Sequence, residues 1–223
     1  MTPSQMNAPI YELTVTLRES TPRIWRRLLV PSTITLSDLH TVLQRTMGWT
    51  NSHRHEFEAG GVRYGTNDPE DDTQRMSERR TTLDQVLRQP QEILRYEYDF
   101  GDSWEHDVVL ERILPPDPVH LYPLVTAGAR ACPPEDVGGI GGYKDLLDAL
   151  PDPHRPEQED TAAGIGRAFD PDAFDLREVN RLLHGGDVAA VERDKSPTGM
   201  KDAPLVRPLL PTQAYTHPRL SVA

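Results

Sequence analysis

The chain of 223 residues carries 24 basic and 35 acidic side chains, a net charge of −11. Such a balance disfavours non-specific binding to duplex nucleic acid, which is held by cationic groups that release its counterions. The length suits one large domain or two small ones, and the single cysteine, Cys132, excludes an intrachain disulfide and cysteine-only zinc sites.

Residues 10–18 alternate, with Tyr11, Leu13, Val15 and Leu17 on one face and Glu12, Thr14, Thr16 and Arg18 on the other, which predicts a half-buried strand. After turn chemistry at Thr21-Pro22, residues 23–30 resume as a β-rich run, and the two read as an antiparallel pair. Leu36, Leu39, His40, Leu43 and Met47 recur at helical spacing, with Thr35 or Ser37 as the cap and Gly48 at the end. Residues 53–60 and 62–65 form a second hairpin across Gly60-Gly61, residues 66–81 read as a polar mobile loop, and Thr82 to Arg88 as a short helix. Beyond a rigid connector at 115–118, residues 131–142 read as Pro/Gly-rich coil, and 143–150 and 170–183 as helices. The Pro-rich sequence from 187 to 223 lacks periodicity and is expected to be a disordered tail. No apolar run approaches the ~18 residues of a membrane span, and the first residues lack a signal-peptide layout, so a cytoplasmic protein with no membrane partner is expected.

Residues 92–114 carry the densest information: two strands around a Gly101-Asp102 turn. Leu94, Tyr96, Tyr98 and Phe100 share one face, and Trp104, His106, Val108 and Leu110 share one face of the partner. A Gly-Asp-Ser loop, setting Phe100 opposite Trp104 and Tyr98 opposite His106, keeps the apolar rows together. Trp104 and His106 then project to the buried side.

Three chemistries compete for these residues. His53 and His55, two apart in an expected strand, point to one face about 6.6 Å apart at the backbone. With His106, and Cys132 as a soft fourth ligand, they make a candidate Zn site with room for a bound water. Hydrogen bonding within a core or at a strand end explains the same histidines without a metal. Cys132, followed by Pro133, Pro134, Glu135 and Asp136, lacks the cationic neighbourhood that activates a thiol and reads as a packing residue. The glycines at 138, 139, 141 and 142 match no phosphate-binding loop and point instead to close backbone packing.

The segments WRR (25–27), LH (39–40), MGW (47–49), HRHEF (53–57), YDFGDSWEHDV (98–108) and ACPPEDVGGIGGY (131–143) occur in this order. Together they resemble the plasmid pRiA open-reading-frame-three-like family, whose members are often labelled transposon passenger proteins. The resemblance spans roughly residues 10–185. It implies a compact α+β domain, occurrence on plasmids and mobile elements, and no established activity. Where that family usually has a second cysteine, in PPEDCGG, this chain has Val137.

The expected architecture is therefore a single α+β domain over residues 8–186: antiparallel hairpins with a packed helix, a β-grasp-like first half, and a Pro/Gly-rich helical cap. The expected function is a binding module, accessory to plasmid or transposon biology, that holds a small ligand or a protein partner at a His/aromatic face formed by Arg27, Trp49, His53, His55, Tyr98, Trp104 and His106. The alternative is a metal-dependent hydrolase with Asp99, Asp102, Glu135 or Asp136 as general base.

Overall fold

Among the described residues eight strands hydrogen-bond into one sheet: Ile10–Leu17 (β1), Trp25–Pro31 (β2), His55–Ala59 (β3), Val62–Gly65 (β4), Met76–Ser77 (β5), Ile93–Tyr98 (β6), Trp104–Leu114 (β7) and Leu124–Ala129 (β8). The computed structural model describes residues 7–67, 73–117, 119–150 and 169–185. Within them the strand order is β5-β4-β3-β6-β7-β1-β2-β8. Every pairing is antiparallel except the two-residue parallel contact of β5 with β4. Four helices among the described residues complete the α+β fold: Leu36–Met47 (α1), Leu83–Val86 (α2), Gly139–Ala149 (α3) and Leu176–Leu183 (α4). None is long and apolar enough to cross a membrane.

The first half matches its sequence closely. In α1 the Thr35 side chain accepts from the Asp38 amide, and Gly48, at φ 88, returns its N–H to Gln44 as the terminating left-handed residue. The face bearing Leu36, Leu39, His40, Leu43 and Met47 is buried. The β-grasp-like first half takes the form of the β1–β2 pair followed by α1, and β1 has β7 as its second neighbour, also antiparallel. Because β1 lies inside the sheet, Glu12 and Thr14 are buried along with Leu13 and Val15, so the strand is covered on both faces rather than one. Glu12 is compensated by Arg112, whose Nε and Nη2 donate to its two carboxylate oxygens at 3.0 and 2.5 Å.

The β6–β7 hairpin keeps the predicted faces but slips by two residues: Tyr98 pairs with Trp104, Tyr96 with His106 and Leu94 with Val108. A slip of two preserves which face is buried. The loop widens to Asp99–Ser103 because Asp99 and Ser103 both adopt left-handed backbone, at φ 57 and 53, and Phe100 leaves the aromatic row to become 42% exposed. The expected mobile loop at 66–81 is partly ordered: Met76–Ser77 forms β5, the Arg75 side chain reaches Glu56 Oε2 at 2.6 Å, and Glu78 is buried. Strand β8 has no alternating apolar pattern and is held at the edge by β2 and by Asn180 of α4, which donates to the Val125 carbonyl and accepts from its amide. Arg26 is buried, and its guanidinium donates to the carbonyls of Thr46, Trp25 and Ala129. Helix α3 starts at Gly139 rather than Tyr143, and α4 starts after an Asp175 cap rather than at Asp170. The expected tail lies outside the described residues.

Trp104 is fully buried against Trp49, with ring centroids 5.9 Å apart. Trp104→Ala should lower unfolding free energy by about 3–5 kcal/mol in a denaturant titration, the usual cost of deleting a buried indole.

Candidate functional site

The two motif-rich segments dock on each other. Tyr98, at the end of β6, donates from its hydroxyl to Glu135 Oε1 at 2.6 Å, while the Thr50 amide and hydroxyl donate to Glu135 Oε2 at 3.1 and 2.6 Å. The Tyr98 oxygen in turn accepts from the amides of Ser52 and His53 at 3.0 and 3.3 Å. Burial and the hydrogen bond to Glu135 raise the Tyr98 pKa well above the ordinary phenol value, so it remains a donor at neutral pH. Trp49 stacks on Tyr98, with centroids 5.0 Å apart, and its Nε1 donates to the Pro133 carbonyl at 3.0 Å. The Gly138 amide donates to Asp102 Oδ2 at 3.2 Å. A Cβ on Gly139, whose φ is +67, would stand 2.4 Å from the Asp102 carbonyl oxygen, so close packing does require this glycine.

Beside that junction, His53, Asp99 and Asp136 present ligand-type atoms that all lie within 4.8 Å of one another. His53 Nε2 is 3.1 Å from Asp136 Oδ1 and 3.6 Å from Asp99 Oδ2. Despite the short distance, that buried nitrogen makes no hydrogen bond. Asp99 is fixed by its other oxygen, which accepts from the Gly101 and Asp102 amides at 3.0 and 3.4 Å.

On the other side of His53 opens a cleft of about 620 Å³. Helix α1, the connection into β3, the flank of β5 and Phe100 of the β6–β7 turn form its walls. At its floor the rings of His40 and His55 stack with centroids 3.4 Å apart and planes 4° from parallel. His55 Nε2 bonds to Glu78 Oε2 at 2.8 Å. Burial alone would raise the Glu78 pKa, but the hydrogen bond and charge of His55 overcome it and hold the carboxyl below its ordinary value. His40 is neutral: burial, and then the neighbouring His55, push its pKa down to about 4. Its Nε2 lies 2.7 Å from Asn51 Oδ1 and its Nδ1 2.9 Å from the Tyr96 hydroxyl, which also accepts from Gln44 at 2.9 Å. These partners assign the Nε2–H tautomer, with Tyr96 donating to Nδ1.

The residues singled out in sequence thus separate into three environments. His53 and His55 both line the cleft, but His53 turns to Asp99 and Asp136 and His55 to Glu78. His106 is enclosed in the core, bonded to the Trp104 carbonyl at 2.9 Å, with its pKa lowered to about 4 chiefly by burial. Cys132 is buried too, and burial pushes its thiol up to about 12. His55, His106 and Cys132 therefore do not converge with His53 on one point, because only His53 stands outside the sheet ladder and next to the turn carboxylates. Trp49, Tyr98, Trp104 and His106 pack as the aromatic wall behind the site rather than as a surface face. Arg27 lies elsewhere, with its guanidinium 5.7 Å from the Trp25 ring. Of the four carboxylate candidates, Glu135 and Asp102 are held by structural hydrogen bonds, and Asp99 and Asp136 face His53. His40, Asn51 and Glu78 were not legible as site residues: His40 sits on the apolar stripe of α1, and Glu78 in a polar run whose burial no sequence signal marks.

A family model described as plasmid pRiA4b ORF-3-like protein matches residues 9–178. The uncharacterized protein y4hQ of Sinorhizobium fredii is 38% identical over 187 residues, covering 83% of this chain and 95% of its own length. The crystal structure of MM3350, a protein of unknown function from Methanosarcina mazei, superimposes with a TM-score of 0.70 at 38% identity. It covers 76% of this chain and 96% of the archaeal one.

His40 and His106 have folded-state pKa values near 4 against about 6.5 in an unfolded chain. Between those values the unfolded chain binds protons that the folded chain does not, so stability falls as pH drops from about 6.5 to about 4. In urea titrations across this window, His40→Gln should show a shallower loss than the wild-type chain. The Cys132 thiol should resist alkylation at neutral pH until the chain is unfolded.

Proposed function

The chain belongs to the plasmid pRiA4b ORF-3-like family, and we propose that it is a binding module whose ligand is a small molecule bearing an acidic group, held in the cleft beside His40 and His55. One observation carries this reading. In a chain of net charge −11, the cleft wall carries Arg54, Arg79 and Arg75, the last of them paired with Glu56, beside the imidazoles of His40, His53 and His55, and Glu78 is the single carboxylate among its described lining residues. Convergent cationic groups in a concave site favour an anion by direct hydrogen bonding and by the local field. The amides and hydroxyls of Asn51, Thr41 and Ser37 at the same wall supply orientation, and the partly exposed Phe100 ring offers a flat apolar surface.

Binding here needs no rearrangement of the core. His40 is a neutral ring locked by Asn51 and Tyr96, so it presents a fixed surface instead of a charge. An accessory role in plasmid or transposon biology is then exercised by ligand recognition. The alternative of a hydrolase built on His53, His55 and His106 draws less support, since His55 Nε2 is taken by Glu78 and His106 is sealed behind Trp104 and Tyr96.

The test is a thermal-shift and calorimetric series on the full chain with inorganic phosphate, citrate and AMP as probes. At least one should raise the melting temperature, since a ligand at 100-fold its Kd stabilises by about 2.7 kcal/mol. Arg79→Ala should abolish the shift while leaving the unliganded melting temperature close to that of the parent. Absence of any shift with all three anions, or a shift that survives Arg79→Ala, overturns the cleft as the anion site.

A further inference from the structure

We infer that His53, Asp99 and Asp136 form a divalent-cation site, one that takes a transition ion such as Mn²⁺ or Zn²⁺ through one imidazole nitrogen and two carboxylate oxygens. It is a different ligand set from the histidine and cysteine grouping that the sequence suggests. It also stands apart from the anion-binding cleft, with which it shares only His53.

Distances come first. Two metal–ligand bonds of about 2.1 Å at angles of 90–110° leave their donor atoms roughly 3.0–3.4 Å apart. His53 Nε2 to Asp136 Oδ1 is 3.1 Å and His53 Nε2 to Asp99 Oδ2 is 3.6 Å. The third separation is bounded by the 4.8 Å limit of the cluster, so a closing of a few tenths of an ångström between His53 and Asp99 and the turning of one exposed side chain complete the site. That side chain is Asp136, which is 75% exposed and free to turn.

The second observation is the state of His53 itself. A buried ring nitrogen within 3.1 Å of a carboxylate ordinarily hydrogen-bonds to it, yet His53 Nε2 makes no such bond. A nitrogen so placed stands unpartnered beside two carboxylate oxygens, a grouping that offers an ion three donor atoms. An imidazole nitrogen beside hard oxygen donors suits Mn²⁺, Fe²⁺ or Zn²⁺, with water in the remaining positions.

Charge points the same way. His53 faces both Asp99 and Asp136. Even a protonated ring leaves the group at net −1, and a neutral ring leaves it at −2. Asp99 is mostly buried, and while its Oδ1 accepts from the turn amides its Oδ2 faces His53, where a divalent cation would be favourable.

Each donor is also held from a different segment. The His53 amide is bonded to the Tyr98 hydroxyl, Asp99 is clasped by the turn amides, and Asp136 follows Glu135, which Tyr98 and Thr50 anchor. With the backbone held at each position, the Asp136 side chain is the main group left to order when an ion arrives.

The test uses the full, tag-free chain after treatment with chelator, titrated calorimetrically with Mn²⁺ and with Zn²⁺ and melted with and without each ion. One ion per chain and a raised melting temperature are expected for at least one metal. Both effects should be lost in His53→Ala and in Asp136→Asn. Asp136→Asn changes an exposed group, so its metal-free melting temperature should match the parent and show that the loss is not misfolding. Arg79→Ala should keep the ion, separating this result from the fate of the anion cleft. Failure of both metals to bind the parent chain, or binding that survives in either ligand variant, overturns the site.

Discussion

The hydrogen bond from Tyr98 to Glu135 is the contact on which the arrangement around it depends. Tyr98 closes β6 and sits in the aromatic wall with Trp49 and Trp104; Glu135 belongs to a Pro/Gly-rich segment with no regular structure of its own. Through one phenol and one carboxylate, that segment is tied to the sheet, while Thr50 ties it to the end of α1. A carboxylate receiving three donors is an anchor rather than a base, because its lone pairs are already engaged. The chain around it is then compelled to glycine. With Glu135 fixed, Gly139 has to pass the Asp102 carbonyl at a distance that leaves no room for a Cβ.

From that anchor the electrostatics of the site divide. On one side, burial keeps His40 and His106 uncharged, so the core carries imidazoles as hydrogen-bonding rings. On the other, the rim keeps its charges: arginines toward the cleft, and the pair Asp99 and Asp136 toward His53. A protein that is acidic overall thus holds a basic hollow next to an acidic corner. Both depend on loops, but on loops clamped to β6, β7 and α1.

The sequence reading reached the parts of the fold where periodicity and capping are local. The α1 stripe, its Thr35 and Gly48 ends, the β1–β2 pair and the burial of Trp104 follow from spacing alone. The β6–β7 register was read two residues off because alternation is unchanged by a slip of two; the left-handed backbone at Asp99 and Ser103, which decides the loop length, has no signature in an Asp-Phe-Gly-Asp-Ser string. Strand β8 was missed since Leu124–Ala129 shows no alternation and is held by neighbours distant in sequence. For the site, the motif-bearing stretches meet at one junction, while the histidines grouped from sequence fall in separate environments. His55 and His106 belong to two adjacent environments, His40 arrives from a helix that reads as plain core, and Glu78 from a run that reads as solvent. Sequence marks which segments carry unusual residues; which of them meet is set by the sheet order β3-β6-β7, a long-range fact.

His53 owes its position to being outside that order. It precedes β3, so its backbone is held not by a ladder but by the Tyr98 hydroxyl, the same oxygen that donates to Glu135. Asp136 lies one residue beyond Glu135, and Asp99 one residue beyond Tyr98. Two of the three donors are therefore immediate neighbours of the anchoring pair, and the third hangs from its shared oxygen. An ion bridging them would join the α1–β3 connection, the β6–β7 turn and the Pro/Gly-rich segment, the three pieces that Tyr98 and Glu135 already join. Its binding energy would then add to a junction already formed rather than create one.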